Sequence, residues 1–109
     1  MDLFLSIFTK RNLIDHGTIK LDPISRTVFV SNETINLRNK EFCLMEYFMK
    51  NVDRVLSRTQ ILEDVWDRNI CCPTNTVDVH VSTLRQKLSI FNCKDFIKTV
   101  HCIGYIFSP

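Results

Sequence analysis

The side chains best suited to recognition chemistry lie in the segment TNTVDVHVSTLRQKL, residues 74–88. On a helix that turns by about 100° per residue, four apolar residues share one face: they are Val77, Val81, Leu84 and Leu88. The opposite face is uncharged and consists of Asn75, Val79, Ser82, Thr83 and Gln86. Amides and hydroxyls can meet base edges in a DNA major groove, and a small apolar group can meet a thymine methyl. We therefore interpret this face as a candidate base-reading surface.

Charged and polar residues flank that surface on both sides. Asp78 and Arg85 lie on one flank, and Thr76, His80 and Lys87 lie on the other. Cations at such edges can contact phosphates, which position a protein on a duplex without reading its sequence. An ordinary amphipathic surface helix has the same pattern, so the segment alone leaves both interpretations open.

The same segment also has the period of a strand, because Val77, Val79 and Val81 alternate with polar residues. The apolar helical stripe persists over twelve residues, whereas the alternation lasts only five. The longer pattern favours a helix over residues 74–88. Thr74 or Asn75 can cap its start.

Two more helices are predicted upstream. NKEFCLMEYFMKN has Phe42, Met45 and Met49 on one stripe and predicts a helix over 39–50. SRTQILEDVWD opens with the capping-box pattern Ser57-x-x-Gln60 and predicts a helix over 58–67. RNICCPTN is predicted to form the loop that follows.

Short β-rich runs occupy both ends of the chain. GTIKL, RTVFV and ETIN are separated by turn formers and predict an antiparallel meander, with residues 1–14 as a linker or a first strand. FIKTVHCIGYIF predicts a hairpin with a bend near residues 102–104. The expected fold is α+β: an N-terminal antiparallel four-stranded sheet, three helices and a C-terminal hairpin, in one domain over 1–109. Such a hairpin forms the wing of a winged helix-turn-helix.

Composition excludes several classes of protein. The net charge is only +2, but residues 76–109 hold four Lys or Arg and two Asp or Glu, which weakly indicates an anion-facing surface. Five cysteines without a Cys-x-x-Cys pair argue against a disulfide framework or zinc site and favour a reduced intracellular chain. No apolar run is long enough to span a membrane. We expect no metal, no cofactor and no catalytic residues, since no nucleophile–base pairing is visible.

The elements together resemble the DNA-binding effector domain of OmpR/PhoB-type response regulators, from Ile35 to Phe107. INLRNKEFCLMEYFMKNVDRVLSRTQILEDVW resembles the family's first two helices and the turn between them. NTVDVHVSTLRQKL resembles its recognition helix, and IKTVHCIGYIF resembles its wing. Each piece is modest alone, but all three in this order are highly specific.

The resemblance implies a cytoplasmic, sequence-specific regulator of transcription that binds direct repeats of double-stranded DNA as a homodimer. RNA polymerase would contact the loop over 67–74. The family's phosphate-contacting positions correspond to Arg58, Trp66, Thr76, His80, Arg85 and Tyr105, and the helix flank adds Lys87. Its base-reading positions correspond to Val79 and Thr83, with Asn75 and Ser82 beside them, and the helix face adds Gln86. The wing residues are Thr99 and His101.

The sequence departs from the family at three places. Asn75, Ser82 and Thr83 stand where basic residues are common, Arg38-Asn39 replaces Thr-Pro before the first helix, and His101-Cys102 replaces Arg-Gly in the wing. Trp66 could be a core residue as readily as a phosphate contact. A winged helix that binds protein rather than DNA is the alternative function.

Overall fold

The N-terminal part of the chain forms a four-stranded antiparallel meander. The structure is a computed structural model that describes residues 13–66 and 75–109. The strands β1 to β4 pair in sequence order and span Ile14–Asp15, Ile19–Asp22, Thr27–Val30 and Glu33–Ile35. The predicted four-stranded sheet is confirmed. Of the segment 1–14, interpreted as a linker or first strand, residues 1–12 lie outside the described residues.

Side-chain alternation explains the sheet. Ile19 pairs with Val30 and Leu21 pairs with Val28, and all four side chains are buried on the face that meets the helices. The turn between β3 and β4 consists of Ser31 and Asn32, both with positive φ (52° and 67°). Two such residues form the tight hairpin turn whose twist matches the flanking strands.

Three helices follow: α1 (Asn39–Lys50), α2 (Arg58–Val65) and α3 (Asn75–Ser89). The helical period at α3 is confirmed, since Val77, Val81, Leu84 and Leu88 are all fully buried. Helix α2 ends at Val65, two residues earlier than predicted, because Trp66 adopts an extended conformation. None of the described helices is long and apolar enough to cross a membrane.

The wing belongs to a three-stranded sheet rather than to a hairpin alone. Strands β6 (Ile97–Val100) and β7 (Gly104–Phe107) form the predicted hairpin, and β5 (Val55–Ser57) pairs with β7. The prediction missed β5 because it is three residues long and runs directly into α2. Ser57 is the last residue of this strand and also caps α2, since its Oγ accepts a hydrogen bond from the Gln60 backbone N–H (3.1 Å). The wing is therefore fastened to the start of α2.

The turn of the wing holds a strained residue. The Ile103 amide donates to the Val100 carbonyl (3.0 Å), and Cys102, the third residue of this turn, has φ of 63°. A side chain in this left-handed region costs about 1–2 kcal/mol. Glycine avoids that cost but adds entropy to the unfolded chain, worth about 0.4–1 kcal/mol.

Cys102→Gly should therefore stabilise the domain by about 0.5–1 kcal/mol in denaturant unfolding. The matched control is Gly104→Ala in the same hairpin. A Cβ at Gly104 would lie 2.0 Å from the Leu56 carbonyl oxygen, so this variant should be clearly less stable. A Cys102→Gly domain that is no more stable than the wild type would contradict strain at the turn.

Candidate nucleic-acid interface

The outward face of α3 is exposed, as the sequence predicts. Asn75, Ser82 and Gln86 are exposed, and Val79 at its centre is 61% exposed. Thr83 is half-buried, and its hydroxyl donates to the Val79 carbonyl (3.1 Å). The Thr83 oxygen still has a free acceptor lone pair. The five residues predicted to read bases thus lie on one uncharged face of α3.

One flank of this surface is organised around Asp78. Its Oδ1 accepts hydrogen bonds from the Arg58 Nε (2.8 Å) and from the Tyr105 hydroxyl. The guanidinium groups of Arg58 and Arg85 both lie 5.2 Å from the centre of the Tyr105 ring. Cations are attracted to an aromatic face at this distance. Helix α3, the start of α2 and strand β7 therefore meet in one cluster of hydrogen bonds and cation–π contacts, which we call the Asp78 cluster (Arg58, Asp78, Arg85 and Tyr105).

Arg85 extends the Asp78 cluster to the edge of the wing. Its Nε donates to the Ile97 carbonyl (2.9 Å), and its Nη2 donates to the Thr99 hydroxyl (2.8 Å). Both partners belong to β6, an outer strand of the sheet order β5-β7-β6. Unpaired carbonyls at a sheet edge need partners, and Arg85 supplies one. Helix α3 and the wing are consequently held in a fixed relation.

Burial and charge fix the protonation states of the Asp78 cluster. Burial raises the pKa of Asp78, but the hydrogen bonds from Tyr105 and Arg58 and the Arg58 charge outweigh it and lower the pKa below its ordinary value. Burial and the Asp78 carboxylate together raise the pKa of Tyr105. At neutral pH the carboxylate is therefore ionised and the phenol keeps its proton, as the hydrogen bond between them requires.

The other flank carries His80 and Trp66 in edge-to-face contact, with ring centres 5.0 Å apart. Trp66 is only 8% exposed and is mainly a core residue, with the Lys40 ammonium 5.8 Å from its ring centre. The His80 Nδ1 lies 2.8 Å from the Thr76 carbonyl. A carbonyl only accepts, so Nδ1 carries a proton, and Nε2 has no hydrogen-bond partner among the described residues.

Lys87, predicted to contact phosphate, forms an internal ion pair with Glu41. Glu41 is only 3% exposed and also accepts from the Arg38 amide (3.0 Å) at the start of α1. This bond caps the start of α1, where Arg38-Asn39 stands. Burial raises the pKa of Glu41, but Lys87 and Arg38 outweigh it and lower the pKa below 4.5. The Lys87 ammonium therefore fastens α3 to α1.

Of the remaining predicted residues, Thr99 and His101 are exposed on the wing, and Thr99 accepts from Arg85. The loop over 67–74, which is predicted to contact RNA polymerase and contains Cys71 and Cys72, lies outside the described residues. Within the described ranges, no three His, Cys, Asp or Glu side chains converge on a possible metal position. The organising roles of Asp78 and Glu41 are not predicted from the sequence. Asp78 shares its helix flank with Arg85, which is a signal that could have found it, but nothing in the sequence pairs Glu41 with Lys87.

Comparisons with known proteins agree with this geometry. Residues 32–107 match the family described as "Transcriptional regulatory protein, C terminal". The chain belongs to this family. The transcriptional regulatory protein QseB of Haemophilus influenzae is 44% identical over 96 residues, which are 86% of this chain and 41% of that protein. The phosphate regulon protein PhoB of Escherichia coli K12 is 35% identical over 104 residues, 95% of this chain and 45% of PhoB.

Solved structures show the same fold. The Klebsiella pneumoniae RstA DNA-binding domain, solved in complex with the RstA box, superposes with a TM-score of 0.78 and 28% identity. The match covers 90% of this chain and 98% of that one. The response regulator DrrB of Thermotoga maritima, an OmpR/PhoB homologue, superposes with a TM-score of 0.75 and 27% identity. The match covers 99% of this chain and 52% of the DrrB chain. The chain is thus a winged-helix domain of the sequence-specific, DNA-binding OmpR/PhoB type. It spans less than half the length of the curated relatives above.

Proposed function

We propose that this domain binds its target by placing α3 in the major groove and the β6–β7 wing toward the adjacent minor groove. The observation that carries the proposal is the exposed, uncharged outward face of α3. The Asp78 cluster on one side and the Glu41–Lys87 pair on the other hold this helix in place. A base-reading surface needs such rigid support, because hydrogen bonds to base edges tolerate little displacement.

The chemistry of the face indicates which base edges it suits. Asn75 and Gln86 carry amides, which can bond to adenine through N6 and N7. Val79 and the Thr83 methyl can pack against a thymine methyl, and the Ser82 hydroxyl can serve either base. Both cations of α3, Arg85 and Lys87, have partners elsewhere within the protein. We therefore propose that these five residues read the target mainly at A·T pairs.

Phosphate contacts flank this face in the proposal. Arg58 uses one of its five N–H groups for Asp78, and Arg85 uses two for the wing, so each retains donors for a phosphate. On the opposite flank, Thr76 and the His80 Nε2 would contact phosphate.

Two aromatic residues predicted to contact phosphate, Tyr105 and Trp66, are buried. We therefore assign Tyr105 mainly to support of the two arginines and Trp66 mainly to support of His80. His101 and Thr99 would approach the second groove from the wing.

The wider assignments follow the family resemblance. We propose that two copies bind direct repeats as a homodimer, that the loop over 67–74 contacts RNA polymerase, and that the protein works in the cytoplasm. RstA, solved with its DNA box, supports the DNA partner.

Footprinting on genomic fragments tests this proposal. We expect two protected half-sites in direct orientation, about one helical turn apart, because each domain occupies one major-groove face. Affinity should fall steeply with salt, with a log–log slope of about −0.9 per neutralised phosphate. No binding to any duplex at low salt would contradict the proposal and favour a protein-binding winged helix. Equal affinity for one half-site and for the pair would contradict the dimer.

A further inference from the structure

A basic cleft lies beside the wing, away from the outward face of α3. It is lined by Arg85, Lys94, Asp95, Ile97, Lys98 and Thr99. The short 3-10 turn Lys94–Phe96 and the outer edge of β6 form its walls. Arg85 and Thr99 join it to the Asp78 cluster through their mutual hydrogen bond. Neither Lys94 nor Lys98 is among the residues predicted from the sequence to contact DNA.

The charges in this cleft are unbalanced. Three cations, Arg85, Lys94 and Lys98, face a single carboxylate, Asp95. Lys94 and Lys98 are exposed, and neither forms an ion pair with any described residue. By contrast, Arg58, Lys87 and Lys50 each have a carboxylate partner. Clustered cations repel one another, so an anion that enters the cleft relieves that repulsion.

We propose that this cleft binds phosphates of the DNA backbone beyond those contacted from α3, with Lys94 and Lys98 as the contacting residues. The inference rests on the proposed DNA-binding function and deepens it. Lys94 and Lys98 provide point charges on flexible stems, which suit a backbone whose path varies with sequence. The contact adds affinity but no sequence preference, since phosphates are the same at every base pair. The cleft therefore lengthens the footprint on the wing side.

Titrations of the whole 109-residue chain against the footprinted duplex and a random duplex, at several salt concentrations, test this. Lys94→Gln/Lys98→Gln should reduce the magnitude of the salt slope by up to about two units, at about 0.9 for each phosphate that is no longer neutralised. The ratio of target to random affinity should stay unchanged. Asp95→Asn should tighten binding to both duplexes at low salt, because it removes the one carboxylate of the cleft that repels phosphate.

The matched control is Lys50→Gln, which removes one exposed positive charge far along the chain from the cleft. A double variant whose slope matches that of Lys50→Gln would overturn the cleft assignment while leaving the DNA-binding function in place. A wild-type chain that binds no duplex would overturn both. Circular dichroism of each variant shows whether it is folded, and Asp95→Asn gives a gain of affinity that misfolding cannot mimic.

Discussion

Replacing Lys87 with Met should lower the free energy of unfolding at pH 7 by about 2–4 kcal/mol, a little less than is usual for breaking a fully buried ion pair. Lys87 bonds to Glu41, whose side chain is 5% exposed, while the Lys87 side chain is 29% exposed. Without the ammonium, the carboxylate stays buried and still accepts from the Arg38 backbone amide, but it loses its ion-pair partner. Denaturant titration measures the loss.

Acid provides a second measure of the same pair. Because the fold lowers the pKa of Glu41, the pair stabilises the domain above pH 4.5, and this contribution is lost as pH falls through the lowered pKa. The difference in free energy of unfolding between wild type and Lys87→Met should therefore become smaller as the pH falls. The double variant Glu41→Leu/Lys87→Met should recover most of the stability. A gap that is constant with pH would show that Lys87 stabilises through its stem rather than its charge.

The Lys87→Met variant also tests the sequence-based assignment of Lys87 to phosphate. A lysine engaged with Glu41 contributes little to counterion release, so we expect the salt slope of DNA binding to stay close to that of wild type. A slope reduced by about 0.9 would place Lys87 on the DNA after all.

Asp78→Ala should weaken binding to the target by about tenfold, or about 1.4 kcal/mol, without weakening binding to random duplex. The carboxylate orients Arg58 and Tyr105, and its loss frees both from α3. Removal of a negative charge beside phosphates favours any duplex, so only the specific complex suffers. We expect stability to fall by only about 1 kcal/mol, because the Asp78 side chain is 41% exposed and water screens it. Parallel titrations of both duplexes measure the difference.

Asp78→Asn is the control for charge. Its amide oxygen can still accept from Arg58 and Tyr105, so it should keep most of the discrimination that Asp78→Ala loses. Equal losses on target and random DNA in Asp78→Ala would mean that the Asp78 cluster does not position α3. If Asp78→Asn loses as much discrimination as Asp78→Ala, the effect on discrimination comes from the Asp78 charge alone.

Local patterns in the sequence predicted the elements well where they were long. The apolar stripe from Val77 to Leu88 decided between helix and strand. Burial of one helix face requires apolar residues three or four positions apart over the whole segment, and the exposed Val79 does not interrupt that spacing. Strand β5 was missed for the opposite reason: three residues contain too little alternation, and only pairing with β7 makes them a strand. Short strands of this kind are determined by tertiary contacts.

The positions of polar residues could be predicted, but their partners could not. Helical geometry placed Arg85 and Lys87 on the flanks of α3, yet it could not show that one bonds to β6 and the other to α1. Those partners come from elements 12 and 46 residues away in the chain, and a periodicity carries no information about them. The cleft at Lys94 and Lys98 was invisible for the same reason.

Base reading by the outward face of α3 is tested most directly by measuring how well Val79→Ala and Thr83→Ala discriminate between target and random duplex. These residues lie on the outward face of α3, and neither contributes to the Asp78 cluster or to the Glu41–Lys87 pair. Each variant should lose about 1–3 kcal/mol of binding free energy on the target duplex and almost none on random duplex, as expected for the loss of a good base contact. Equal weakening on both duplexes, or no change on either, would contradict the claim that this face reads bases.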